Sequence, residues 1–204
     1  MNRKQTNVRA MAILALMTAL VVIFSCTPIG SIPVGPLVIT LNTIPVAIAA
    51  IALGPKGGAV IGGVFGLLSF LQCIGVGIPS GMGAILFGIS PFLAFVQRFV
   101  PRLLDGFLVG VIFRACEKKL GKWACFLAGF CTAFLNTAFF MSALVLLFGH
   151  TEYVQNLMNG RSVLAFIVGF VGVNAVVEMI SSTLIAGVVG TALYGAKILP
   201  LEKQ

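Results

Sequence analysis

Leu41-Asn-Thr-Ile-Pro-Val-Ala-Ile-Ala-Ala-Ile-Ala-Leu53, then Gly54-Pro55-Lys56, then Gly57-Gly-Ala-Val-Ile-Gly-Gly-Val-Phe-Gly-Leu-Leu-Ser-Phe-Leu71 is the stretch that decides the fold. Both arms are almost wholly apolar, and the join between them has Pro to stop one helix and Gly to restart the next. They read as two short membrane helices, Leu41–Leu53 and Gly57–Leu71. Gly58, Gly62 and Gly66 fall every four residues on the second arm, which sets them on one helix face and permits close backbone approach. Gly106 and Gly110 offer the same on a later segment.

The apolar character extends in both directions. No charged residue lies between Arg9 and Lys56, or between Lys56 and Arg98, and each run can cross a hydrocarbon layer of about 30 Å twice. Of 204 residues, 59% are hydrophobic and 9% charged, which excludes a water-soluble domain. Division at Pro/Gly clusters and charges predicts an all-α integral membrane protein, a single domain over residues 1–204. Its six transmembrane helices are Ala10–Cys26, the two arms above, Pro91–Arg114, Trp123–Phe148 and Ser162–Ala196. The first reads as a retained helix and not a cleaved signal, because bulky Phe24 precedes Cys26 and all that follows is itself apolar.

Lysine and arginine positions test the plan. With the N-terminus inside, Arg3, Lys4, Arg9, Lys56, Arg114, Lys118, Lys119, Lys122, Lys197 and Lys203 are all cytoplasmic and only Arg161 is outside, so both termini are expected in the cytoplasm. The net charge of +8 therefore marks helix ends, with no basic stripe for nucleic acid. Two uncharged segments, Thr27–Thr40 and Gln72–Ser90, are expected outside as lids over an outward-facing pocket.

Chemistry-bearing motifs are scarce. The five cysteines form no CxxC pair and have no histidine at zinc spacing, so neither disulfide framework nor metal site is implied. HExxH, GxSxG and the phosphate-loop pattern are missing, so no enzyme activity and no resident cofactor is expected, and uptake would need a separate motor or an ion gradient. Charges at membrane depth are costly and usually functional. Counting about 1.5 Å per residue from the outer helix ends puts Arg98 and Arg102 nearer the outside, and Asp105 and Glu178 nearer the inside. Arg102 and Asp105, three apart, are expected to pair, which leaves Arg98 as the best receptor for an anionic ligand and Arg102 as the second. A closed network of the four charges is the competing reading. Asn136 and Asn174 near mid-depth suit a ligand with hydroxyls or an amide, or else bond helix to helix. Asn42 would cap its helix or line the pocket.

Ile39-Thr-Leu-Asn-Thr-Ile-Pro-Val46, Ala50-Ile-Ala-Leu-Gly-Pro-Lys-Gly-Gly-Ala59 and Gly63-Val-Phe-Gly-Leu-Leu-Ser-Phe70 resemble the second-to-third helix signature of the S components of energy-coupling factor (ECF) vitamin transporters, particularly the pantothenate-type branch. Pro91-Phe-Leu, Arg98-Phe-Val-Pro-Arg102, Gly106 and Gly110 resemble the fourth helix of that branch. The resemblance implies a membrane-embedded vitamin-binding subunit that docks on a transmembrane scaffold protein and two ATPases. Docking in this family uses small residues four apart on the first helix, a pattern that Ala15 and Ala19 fit. Pantothenate is a monocarboxylate with two hydroxyls and an amide, which suits Arg98 and Asn136. Ile32-Pro-Val-Gly-Pro-Leu-Val-Ile-Thr-Leu41 also resembles the first loop of biotin-type S components, so biotin or another vitamin stays open. An autonomous secondary transporter of a small organic anion is the rival from another class.

Overall fold

Gly54 has φ 71° and ψ −159°, a backbone conformation open essentially to glycine alone, and there the apolar stretch turns back on itself. The computed structural model, which describes residues 3–34, 37–160 and 162–196, carries both arms in one bent element, α2 (Thr43–Leu71). Both of its ends reach the same residue. The Asn42 side chain donates to Ser25 Oγ at 3.1 Å, and the Gln72 side chain donates to the Ser25 carbonyl at 3.0 Å. At the opposite end the Arg114 guanidinium packs on Gly54.

Around this bend run α1 (Arg3–Cys26), a hairpin of β1 (Ser31–Val34) and β2 (Leu37–Thr40), a 3-10 turn (Gln72–Ile74), α3 (Gly81–Ile89), α4 (Pro91–Leu120), α5 (Trp123–Phe148), α6 (Glu152–Met158) and α7 (Val163–Gly195). The hairpin is antiparallel, with Ser31 opposite Thr40 and Val34 opposite Leu37. Helix starts follow from short polar side chains. Ser80, Ser90, Thr151 and Ser162 each accept a backbone N–H from the first turn of α3, α4, α6 and α7, and Pro91 occupies the first position of α4.

The glycine stripe does what its spacing predicts. A methyl on Gly58 would run into the Gly106 carbonyl, one on Gly106 into the Gly58 carbonyl, and one on Gly62 into the Arg102 carbonyl. Thus α2 and α4 touch backbone to backbone. α5 packs between α4 and α7, and α1 lies on α2. Three apolar clusters fill the interior: Met82, Leu86, Met141 and Phe148 toward the hairpin end, Val21, Ile48, Ile61 and Phe65 between α1 and α2, and Ile51, Phe113 and Cys125 toward the Gly54 end.

The partition of polarity is that of a membrane protein. Arg98, Arg102, Asp105, Asn136 and Glu178 are buried, while Leu146, Val168, Val173 and Phe92 are exposed. The expected count of six membrane helices differs from what is found. Among the described residues there are seven helices, and four segments are long and apolar enough to cross a membrane: Val8–Cys26, Thr43–Ile74, Trp123–Phe148 and Val171–Gly195. The difference has physical causes. The two expected arms merge into α2, the charges of α4 interrupt its apolar run, and α3 and α6 are short helices in stretches with turn-like composition. Arg9, Lys56, Arg114, Lys118, Lys119 and Lys122 gather at the Gly54 end; Gly35, Pro36, Arg161, Lys197 and Lys203 lie outside the described residues.

Candidate functional site

Arg98 and Arg102 stand one turn apart on α4, with Pro101 between them. Arg98 donates through Nη2 to Ser80 Oγ at 3.1 Å and through Nη1 to Ser69 Oγ at 3.4 Å, which ties α4 to α3 and to the far end of α2. Arg102 donates through Nη1 to the Arg98 carbonyl at 2.9 Å. Phe140 of α5 faces both guanidinium groups, 5.1 Å from Arg98 and 5.0 Å from Arg102, and Phe65 lies 4.4 Å from Arg102. Aromatic faces of this kind stabilise desolvated cations that no acid neutralises directly.

These groups line one cavity, about 670 Å³ when the open solvent at its mouth is included. α7 contributes Asn174 and Glu178, α5 contributes Asn136, Thr137 and Phe140, and the hairpin contributes Ser31, Val38 and Thr40. Glu178 Oε1 accepts the Thr40 N–H at 2.8 Å and so fastens β2 to α7. Three buried polar atoms on lining residues have no hydrogen-bond partner: Arg98 Nε, Arg102 Nε and Asn136 Oδ1. An unmade buried hydrogen bond costs about 1–3 kcal/mol, and residues away from the cavity, Gln97 and Asp105 among them, carry such atoms as well. The charged lining residues are Arg98, Arg102 and Glu178, a net of one positive charge when all are ionised. Two donor-rich cations, amide groups and an unsatisfied acceptor can hold a monoanion that also carries hydroxyl or amide groups.

The cavity brings together Arg98, Arg102, Asn136 and Asn174 as the sequence suggests. Two expectations are corrected. Asn42 neither lines the cavity nor caps α2 with its side chain, because its amide is used on Ser25 Oγ and, at 3.0 Å, on Thr40 Oγ1. The depth order also changes. Glu178 lies level with Thr40 and shares the cavity with both arginines, whereas Asp105 is buried outside it, and no ion pair joins Arg102 and Asp105 among the described residues. Counting along a helix assumes that all helices begin at one plane. At about 1.5 Å per residue α7 is roughly 50 Å long and overshoots the hydrocarbon layer.

Sequence reading passed over Ser69, Ser80, Gln72 and Thr40, uncharged residues at element ends, and could not single out Phe65 and Phe140 among 17 phenylalanines. Glu178 was visible as a membrane-depth charge, but its partner was not. Ala15 and Ala19 lie apart from the cavity, exposed on α1.

Residues 9–190 match the family model described as "ECF transporter, substrate-specific component". The chain is 31% identical over 176 residues, 81% of each protein, to the Pantothenate transporter PanT of Leuconostoc mesenteroides subsp. mesenteroides. It is 28% identical to the Pantothenic acid transporter PanT of Lactococcus lactis subsp. cremoris, with 95% of this chain and 98% of that one covered. The crystal structure of the S-component for biotin from an ECF-type ABC transporter has a similar fold, with a TM-score of 0.58 at 19% identity over 91% of this chain and 93% of that one. The family model and both relatives describe transport components, not catalysts. The chain is a multi-pass membrane protein that belongs to the substrate-specific components of ECF transporters.

Proposed function

We propose that this protein captures a vitamin, most directly pantothenate, and delivers it to the cytoplasm while docked on an ECF transmembrane scaffold protein driven by two ATPases. The observation that carries the reading is the placement of Arg98 and Arg102 on one cavity wall with Asn136 and Asn174, where Arg98 bonds to Ser80 and Ser69 and keeps further donors for a single carboxylate. Pantothenate supplies that carboxylate, and its hydroxyls and amide match Asn136, Asn174 and the second cation, Arg102. Two relatives bearing the name of that vitamin point the same way.

In this reading residues 1–204 form one domain whose six membrane segments comprise α1, the two arms of α2, α4, α5 and α7. The hairpin and the 72–90 segment are the external lids. Both termini are cytoplasmic, which agrees with the basic residues gathered at the Gly54 end. Ala15 and Ala19, small and exposed on α1, form the docking surface for the scaffold.

The test is mass spectrometry of the small molecule that co-purifies with the detergent-extracted protein, followed by calorimetric titration of pantothenate and of biotin, and uptake in liposomes with and without the ATP-driven module. Pantothenate recovered and bound, with uptake only in the presence of the module, is the expected result. Biotin bound instead would reassign the vitamin, and gradient-driven uptake by the chain alone would establish a secondary transporter.

A further inference from the structure

We infer that Glu178 is a specificity-determining residue that makes the cavity reject anions with more than one negative charge, so that the free monocarboxylate is taken and its phosphomonoester is refused. The inference rests on the reading of the cavity as a vitamin site. Two buried cations alone would favour a doubly charged ligand over a singly charged one. Glu178, 5% exposed on α7, brings the lining charge from +2 to +1 when it is ionised. One anionic ligand then closes the balance. A phosphomonoester adds between one and a half and two negative charges at neutral pH, which would leave excess charge in a desolvated space facing a fixed carboxylate.

The position of that carboxylate is also set. Oε1 is held by the Thr40 N–H of the hairpin at 2.8 Å, so Glu178 cannot swing away from an incoming anion without releasing β2. A carboxylate is an acceptor only, so it favours ligand hydroxyls, which donate, over phosphate oxygens, which do not. The residue therefore discriminates by charge and by the number of donors that the ligand offers. A cavity of this kind admits the free acid and refuses its phosphomonoester.

Glu178→Gln tests this because the amide keeps the shape and can still accept the Thr40 N–H through its oxygen, so only the charge is lost. Glu178→Asp keeps the charge. Pantothenate and its phosphomonoester are titrated calorimetrically into the full chain in detergent, wild type and both variants. The wild type and Glu178→Asp should bind the phosphomonoester at least 100-fold more weakly than pantothenate, and Glu178→Gln should narrow that gap at least tenfold, about 1.4 kcal/mol. An unchanged gap in a folded Glu178→Gln that binds pantothenate overturns the inference and leaves the substrate reading intact. Loss of pantothenate binding in Glu178→Gln with retention in Glu178→Asp also overturns it, because the charge would then support the anion. If the wild type ignores pantothenate but binds biotin, the substrate reading falls, and the same comparison with a biotin analogue bearing a second carboxylate decides the inference. Binding of no monocarboxylate at all overturns both.

Discussion

Truncation of Arg98 to alanine removes the proposed anchor for the ligand carboxylate, and the structure sets the scale of the loss. A guanidinium has five N–H donors. Arg98 uses one on Ser80 and a long one on Ser69, its Nε has no partner, and the side chain is 5% exposed. The remaining donors are enough for a charge-assisted bond to a carboxylate, of which each is worth about 1.5–3 kcal/mol in a buried setting. At 1.4 kcal/mol per factor of ten, Arg98→Ala should weaken pantothenate binding between about tenfold and 150-fold. Loss of the scaffold is a separate effect and can be told apart. Ser80 still caps α3 through the Gly83 N–H at 3.1 Å, so α3 keeps its start when the arginine is gone. Arg98→Lys retains a charge but loses the planar fork, and should fall between wild type and alanine. The assay is calorimetric titration, with size-exclusion profile and melting temperature as folding controls; the single tryptophan, exposed Trp123 at the opposite end from the cavity, is a poor optical reporter. A folded Arg98→Ala protein with wild-type affinity would refute the assignment.

Three further outcomes follow from the packing. Gly106→Ala should destabilise the protein by about 1–3 kcal/mol, read as a lower melting temperature in detergent, because the methyl group meets the Gly58 carbonyl and forces two backbones apart. Ala15→Trp should leave vitamin affinity unchanged and abolish ATP-driven uptake in liposomes; full uptake would remove Ala15 from the docking surface. Asn42→Ala should lower stability by about 1–2 kcal/mol and speed release of labelled ligand, since it deletes the bonds to Ser25 and to Thr40 of the cavity wall, although Asn42 itself does not line the cavity. Unaltered melting and release would show that Asn42 holds nothing in place.

Much of the fold is legible because lipid imposes strong rules on local sequence. Gly54-Pro55 breaks an apolar run where a turn is needed, and the four-residue glycine spacing foretells the backbone contact between α2 and α4. The site is less legible. Arg98 and Arg102 announce themselves because buried charge is costly. Thr40 and Glu178 are 138 positions apart, and nothing local links them. The hairpin is equally hidden: four-residue strands amid Pro and Gly have no helical period, and their pairing depends on the bundle end beneath. Asn42 illustrates the limit most clearly, since an asparagine before a helix suggests a cap, yet tertiary partners claim its amide.

Ser25, at the end of α1, holds more than one neighbour. Its hydroxyl accepts from Asn42, which closes the hairpin segment, and its carbonyl accepts both from Gln72 and, at 3.2 Å, from the Ile78 N–H in the following segment. The two proposed lids thus share one clasp, placed on the same helix that carries the proposed docking residues Ala15 and Ala19. A gate fastened this way has two positions instead of four. On the function proposed above, ligand should enter and leave in a single kinetic phase, and docking through α1 should act on both lids at once.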